Sequence, residues 1–191
     1  MRDVMAAVPL TLTLTRACLA PVVVVLALYW PHPTALGACL VVAFLSDVFD
    51  GIIARRLAMA TLALRRLDSI ADSVFYLGAM FAAWHLHPSA LTSRAQALWV
   101  LAALELMRYL FDFAKFGREA SYHMWSSKLW GLALFAGFFG LLVFADEGLP
   151  VTVAVYVGIA ADLEGLAISA VLREWRTDVP TLMHALRRRG Q

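Results

Sequence analysis

The chain has 191 residues, of which 62% are hydrophobic and 16% charged, whereas soluble domains run at about 45–50% and about 25%. With a mean hydropathy of +0.75, this argues against a soluble globular domain, a disordered chain and a nucleic-acid-binding module. The formal net charge of +2 is too small to point to a polyanionic partner, so the placement of the charges matters more than their sum.

A membrane helix needs about 20 apolar residues. The length therefore accommodates six spans and short loops within a single membrane domain over residues 1–191. The predicted spans are residues 8–30, 34–53, 70–87, 95–113, 129–145 and 151–172. They must be helical, because lipid leaves every backbone polar group to find an internal partner. Turn chemistry separates them: Pro31-His32-Pro33 after the first, His87-Pro88-Ser89 after the third, and Glu147-Gly148-Leu149-Pro150 between the last two. No small-residue cleavage site precedes a polar segment, so the first apolar stretch reads as a retained span. Cys18 and Cys39 lie in apolar runs without metal-like spacing and are expected to be small buried hydrophobes.

Charge placement sets the orientation. Arg55, Arg56, Arg65 and Arg66 follow the second span, and Lys115, Arg118 and Lys128 follow the fourth. Arg173, Arg176 and Arg187–Arg189 lie in a short basic tail, residues 173–191, and Arg2 is at the N-terminus. With six spans these all fall on one side, which the positive-inside rule makes the cytoplasm, with both termini. The tail also contains Leu182, Met183 and Leu186; it reads either as a segment lying on an anionic leaflet or as a solvated basic end. Trp30, Trp84, Trp125 and Trp130 near span ends read as interface anchors, and His32, His85 and His87 fall on the far side.

Four acids stand out. A charge deep in a membrane helix costs about 2.5–3.5 kcal/mol on the insertion scale, yet Asp47 and Asp50 end the second span and Asp68 and Asp72 flank the start of the third. Spacings of three and four put each pair on one helix face. The joining loop is short, so the two pairs can face each other. Four carboxylates in one pocket require cations among them, and hard oxygen donors favour Mg²⁺ or Mn²⁺, two ions balancing the four charges. Such ions suit phosphate chemistry. The structural alternative is a set of acids paired with Arg55, Arg56, Arg65 and Arg66.

The segment Asp47-Val-Phe-Asp50-Gly51-Ile-Ile-Ala54-Arg55, followed by Asp68-Ser-Ile-Ala-Asp72, resembles the D-x2-D-G-x2-A-R-x8-G-x3-D-x3-D signature of the CDP-alcohol phosphatidyltransferase family. Leu64 stands at its second glycine. Pro9, Thr13, Arg16 and Pro21 are similar to the P-N-x-x-T-x-x-R-x4-P opening of the phosphatidylglycerophosphate synthase branch, with Leu10 in place of asparagine. The resemblance implies an enzyme of phospholipid synthesis. An alcohol hydroxyl attacks the β-phosphorus of CDP-diacylglycerol and CMP leaves, at the cytoplasmic face of a bacterial inner membrane or its equivalent. It implies metal binding by Asp47, Asp50 and Asp68, with Asp72 as general base also touching one ion. Gly51, Arg55, Thr61 and Thr13 would contact CDP-diacylglycerol, Gly51 by letting the backbone approach closely. A homodimer is implied too.

Glycerol 3-phosphate is the expected water-soluble acceptor, with inositol, inositol phosphate and serine as alternatives. An anionic acceptor needs cations, and Arg108, Lys115, Arg118 and Lys128 are the candidates. Each has a plainer reading as a topology determinant, and Arg108 as the ion-pair partner of Glu105, Asp162 or Glu164. Three other functions compete: intramembrane prenyl transfer, an ion or proton carrier using the buried acids, and a catalytically impaired relative altered through Leu64.

Overall fold

The structure is a computed structural model that describes the backbone of residues 2–56 and 62–189 and the side chains of residues 10–53, 64 and 66–187. Eight helices appear among these residues. They are α1 (Arg2–Tyr29), α2 (Pro33–Arg56), α3 (Leu62–Leu86), α4 (Pro88–Thr92), α5 (Ala95–Phe116), α6 (Trp125–Phe144), α7 (Leu149–Val171) and α8 (Leu182–Arg189). No strand forms among the described residues beyond one isolated bridge between Ser121 and Thr177.

Each predicted span coincides with a long helix. Four of them, Leu10–Tyr29, Pro33–Ile53, Trp125–Phe144 and Leu149–Val171, are long and apolar enough to cross a membrane, and the chain is a membrane protein. By that measure four spans qualify rather than six. α3 carries Arg66, Asp68 and Asp72, and α5 carries Glu105, Arg108, Asp112 and Lys115. α3 also starts eight residues earlier than hydropathy predicts. Its first turns are charged, but leucine, alanine and arginine are strong helix formers.

The helix ends follow local chemistry. Pro33 opens α2, and Pro150 lies in the first turn of α7, where its missing N–H and fixed φ are harmless. α5 stops at Gly117, whose φ of +67° is left-handed and whose amide donates to the Phe113 carbonyl at 2.9 Å.

The helices fall into two compact units. The first is Met1–Pro88 with Phe138–Asp146. Here α1 buries Thr13, Arg16, Ala20, Val23 and Ala27, a stripe at spacings of three and four. α2 buries Leu36, Leu40, Ala43, Ser46 and Asp50, and α3 buries Ala71, Phe75, Ala79 and Ala82. The stripes are rich in small residues, which lets backbones approach as in membrane bundles. Between α1 and α3, a Cβ on Gly78 would lie 3.0 Å from the Ala20 carbonyl oxygen. That contact fixes the height of α3 against α1, one turn beyond Arg16.

The second unit is Ser89–Gly137 with Glu147–Gln191. Gly158 and Gly165 of α7 admit Trp130 and Arg108, whose side chains would stand 2.6 and 2.8 Å from an added Cβ. A second core gathers Tyr122, Met124, Ile168, Leu172, Val179 and Ala185. The tail is tied into it: the Asp178 amide donates to the Ser121 carbonyl, and the Leu182 amide at the start of α8 donates to the Glu164 carboxylate.

Two expectations change. Cys18 is exposed and Cys39 only partly buried, because Cys18 lies off the buried stripe of α1. Trp130 is no surface anchor: its indole nitrogen is buried against Gly158, whereas Trp30, Trp84 and Trp125 are exposed.

Candidate metal centre

The four aspartates converge in the first unit. Asp47 and Asp50 come from the end of α2, three residues apart, and Asp68 and Asp72 from the start of α3, four apart. One carboxylate oxygen from each of Asp47, Asp50 and Asp68 lies within 4.8 Å of the others. Burial is graded: the side chains of Asp47, Asp68 and Asp50 are 48%, 33% and 5% exposed. The cluster thus has an open side at Asp47 and a floor at Asp50. Leu64 is partly buried in the first turn of α3, one turn before Asp68, and Asp68 and Asp72 still reach the cluster.

Among the described residues, an arginine of α1 sits among the acids. The Arg16 guanidinium is 1% exposed. Its Nη1 stands 3.0 Å from Asp68 and 3.4 Å from Asp47, and also donates to Asp72; its Nη2 donates to Asp50. Nε is turned to the Ser46 hydroxyl at 3.4 Å, and that hydroxyl donates to the Ala43 carbonyl at 2.7 Å. Of the loop arginines, the side chains of Arg55, Arg56 and Arg65 lie outside the described residues.

The sequence reading took Arg16 only as a position of the N-terminal motif, with no place among the acids, and did not single out Ser46. The signal was present: Arg16 is the only charged residue between Asp3 and Asp47, and a lone charge in so long an apolar stretch needs a partner. Among the described residues, four carboxylates face one guanidinium, a formal charge of −3 that Arg16 alone does not balance. A compact set of hard carboxylate oxygens with an open side fits Mg²⁺ or Mn²⁺.

Of the other predicted residues in this unit, Gly51 is partly buried in α2 beside Asp50. Thr13 is buried on α1, one turn before Arg16. The Arg55 side chain and Thr61 lie outside the described residues.

The four predicted acceptor cations belong to the second unit, and each has a partner there. Arg108 pairs with the fully buried Asp162 at 2.9 Å, the ion pair that the plainer reading anticipated. The Lys115 ammonium donates to the Ser169 and Ala170 carbonyls at 2.7 and 3.0 Å, at the C-terminal end of α7 where a cation is favoured. Arg118 lies 4.8 Å over the ring of Trp175, and Lys128 lies 4.5 Å over that of Trp125. The sequence reading missed a polar chain beside them. The Ser169 hydroxyl donates to the buried Asp112 and contacts the Tyr122 hydroxyl at 2.9 Å. Burial, partly offset by the bond to Ser169, holds the Tyr122 hydroxyl above its ordinary range.

A family model described as CDP-alcohol phosphatidyltransferase matches residues 6–169. No curated protein and no solved structure matches the chain.

Proposed function

The chain belongs to the CDP-alcohol phosphatidyltransferase family, and from that premise we propose that it transfers the phosphatidyl group of CDP-diacylglycerol to glycerol 3-phosphate and releases CMP. The observation that supports this most directly is the convergence of Asp47, Asp50, Asp68 and Asp72 from two helices. The family makes phospholipids by phosphatidyl transfer. The choice of glycerol 3-phosphate rests on the Pro9, Thr13, Arg16 and Pro21 pattern.

On this reading Asp47, Asp50 and Asp68 hold Mg²⁺ or Mn²⁺, and Asp72 touches one ion. Bound divalent ions would neutralise the diphosphate and so make CMP a workable leaving group. Asp72 accepts the proton of the acceptor hydroxyl as its oxygen bonds to the β-phosphorus and the bond from that phosphorus to CMP breaks. Gly51 leaves room for the nucleotide against the α2 backbone. Thr13, Thr61 and Arg55 contact the donor, Arg55 through charge-assisted bonds to its diphosphate. Arg108, Lys115, Arg118 and Lys128 supply positive character for an anionic acceptor.

The proposed topology has six spans with both termini in the cytoplasm. α3 and α5, which do not qualify by length and composition, carry apolar side chains on their exposed faces. On α3 these are Leu67, Ile70, Val74, Leu77, Phe81 and Trp84; on α5 they include Trp99, Leu106, Leu110 and Phe113. In α5 the buried position is Asp112. A helix with acid inside and leucine outside is built for lipid, since in water so large an apolar surface invites association. The metal centre then lies at the cytoplasmic face.

The test is CMP release from CDP-diacylglycerol in proteoliposomes with Mn²⁺ or Mg²⁺, against a panel of alcohols. Glycerol 3-phosphate is expected to give the fastest release. No CMP with any acceptor overturns the transferase reading, and release only with inositol, inositol phosphate or serine overturns the acceptor.

A further inference from the structure

The position of Arg16 has a consequence for metal binding. Its guanidinium touches Asp47, Asp50 and Asp68, the residues whose oxygens lie close enough together to share an ion, and also Asp72. A divalent ion bound by those oxygens would share them with the guanidinium, so two like charges would compete for the same carboxylates. The fork of N–H donors lets one side chain serve all four acids. Ser46, fixed to the Ala43 carbonyl, steadies it from behind.

We propose that Arg16 is the resident counter-cation of the aspartate cage and that divalent ions bind by displacing its guanidinium. The inference rests on the metal-centre reading above. In the metal-free protein Arg16 holds the ends of α2 and α3 together against the mutual repulsion of four carboxylates; in the loaded protein the ions take over that task. Arg16 therefore stabilises the empty fold and competes with metal. A buried charge network that loses one partner is strongly destabilised, and a ligand that binds only the folded state restores stability by mass action.

The test uses the full chain in detergent, with Mn²⁺ titrated by calorimetry and Tm measured with Mn²⁺ or with EDTA. Wild type is expected to bind Mn²⁺, and Asp68→Asn to lose it. Arg16→Gln is expected to bind at least tenfold more tightly than wild type, and to show a larger gap between its Tm in Mn²⁺ and in EDTA. Arg16→Lys, which keeps the charge without the fork, is expected to fall between the two. If Arg16→Gln can be prepared only with Mn²⁺ present, the Tm gap alone decides, and a gap no larger than that of wild type overturns the proposal. Unchanged or weaker Mn²⁺ binding by Arg16→Gln, with Asp68→Asn still abolishing it, sinks the displacement idea and leaves the metal centre standing. Absence of Mn²⁺ binding in both wild type and Arg16→Gln overturns both.

Discussion

Asp72 differs from the other three aspartates in its neighbours. Asp47, Asp50 and Asp68 offer oxygens within 4.8 Å of one another, whereas Asp72 joins the cluster through Arg16. With the proposed division of roles, three acids suffice to hold an ion while Asp72 takes a proton. Asp72→Asn keeps the shape of the side chain and removes its basicity. It is expected to retain Mn²⁺ binding and to lower the rate of CMP release by about 10²–10⁴-fold, the usual contribution of a positioned base. Near-normal turnover would remove Asp72 from that role. The acids themselves were legible in the sequence, because carboxylates at spacings of three and four in apolar helices have few structural explanations. The role of Arg16 was not, since hydropathy averages one charge into its surroundings and its partners lie 30 or more residues away. The same limit hid the bond between Ser169 and Asp112, 57 residues apart.

At the level of the helix, the site depends on how α1 meets α3. Arg16 reaches Asp68 and Asp72 because Gly78 lets the two backbones close at Ala20. Gly78→Val puts a Cβ at 3.0 Å from a carbonyl oxygen that cannot swing aside. The substitution is expected to cost about 1–3 kcal/mol as an overpacked contact, which lowers Tm by several degrees. It is also expected to cut CMP release, because Arg16 and the α3 acids separate. Unchanged Tm and turnover would show that the approach at Gly78 does not set the site. The small-residue stripe that makes this approach visible is written in the sequence as Ala71, Gly78, Ala79 and Ala82. Its partner helix is not, because alanine and glycine allow closeness without specifying what comes close. Helix boundaries were legible where turn residues mark them, as at Pro33, Pro88 and Pro150. They were misplaced at α3, where the helix runs on through charged residues that a hydropathy criterion discards.

At the scale of the whole molecule, the layouts with four and with six crossings both put the basic segments on one side. Four spans formed by α1, α2, α6 and α7 would leave residues 57–124 and the tail on the same side as the N-terminus. Six spans place the loop arginines, Lys115, Arg118, Lys128 and the tail on that side as well. The two layouts disagree about the segment joining α3 to α5, with Pro88, Ser89, Thr92 and Arg94. That segment is fixed rather than loose: Arg94 donates to Thr152 at 2.9 Å, to the Ala90 and Gly148 carbonyls at 3.0 Å, and to the Glu147 carbonyl. It therefore lies on the same side as the start of α7, which the six-span layout puts outside. Under four spans the start of α7 is also outside, so the segment from Ser89 to Arg94 would have to be on the far side of the membrane from its own hydrogen-bond partners. These contacts are the ground for proposing six spans. A single cysteine at Ser89, in a background with Cys18 and Cys39 changed to alanine, is expected to react in intact cells with a maleimide that cannot cross the membrane. Reaction only after the membrane is opened would restore the four-span layout and move α3 and α5 to the membrane surface.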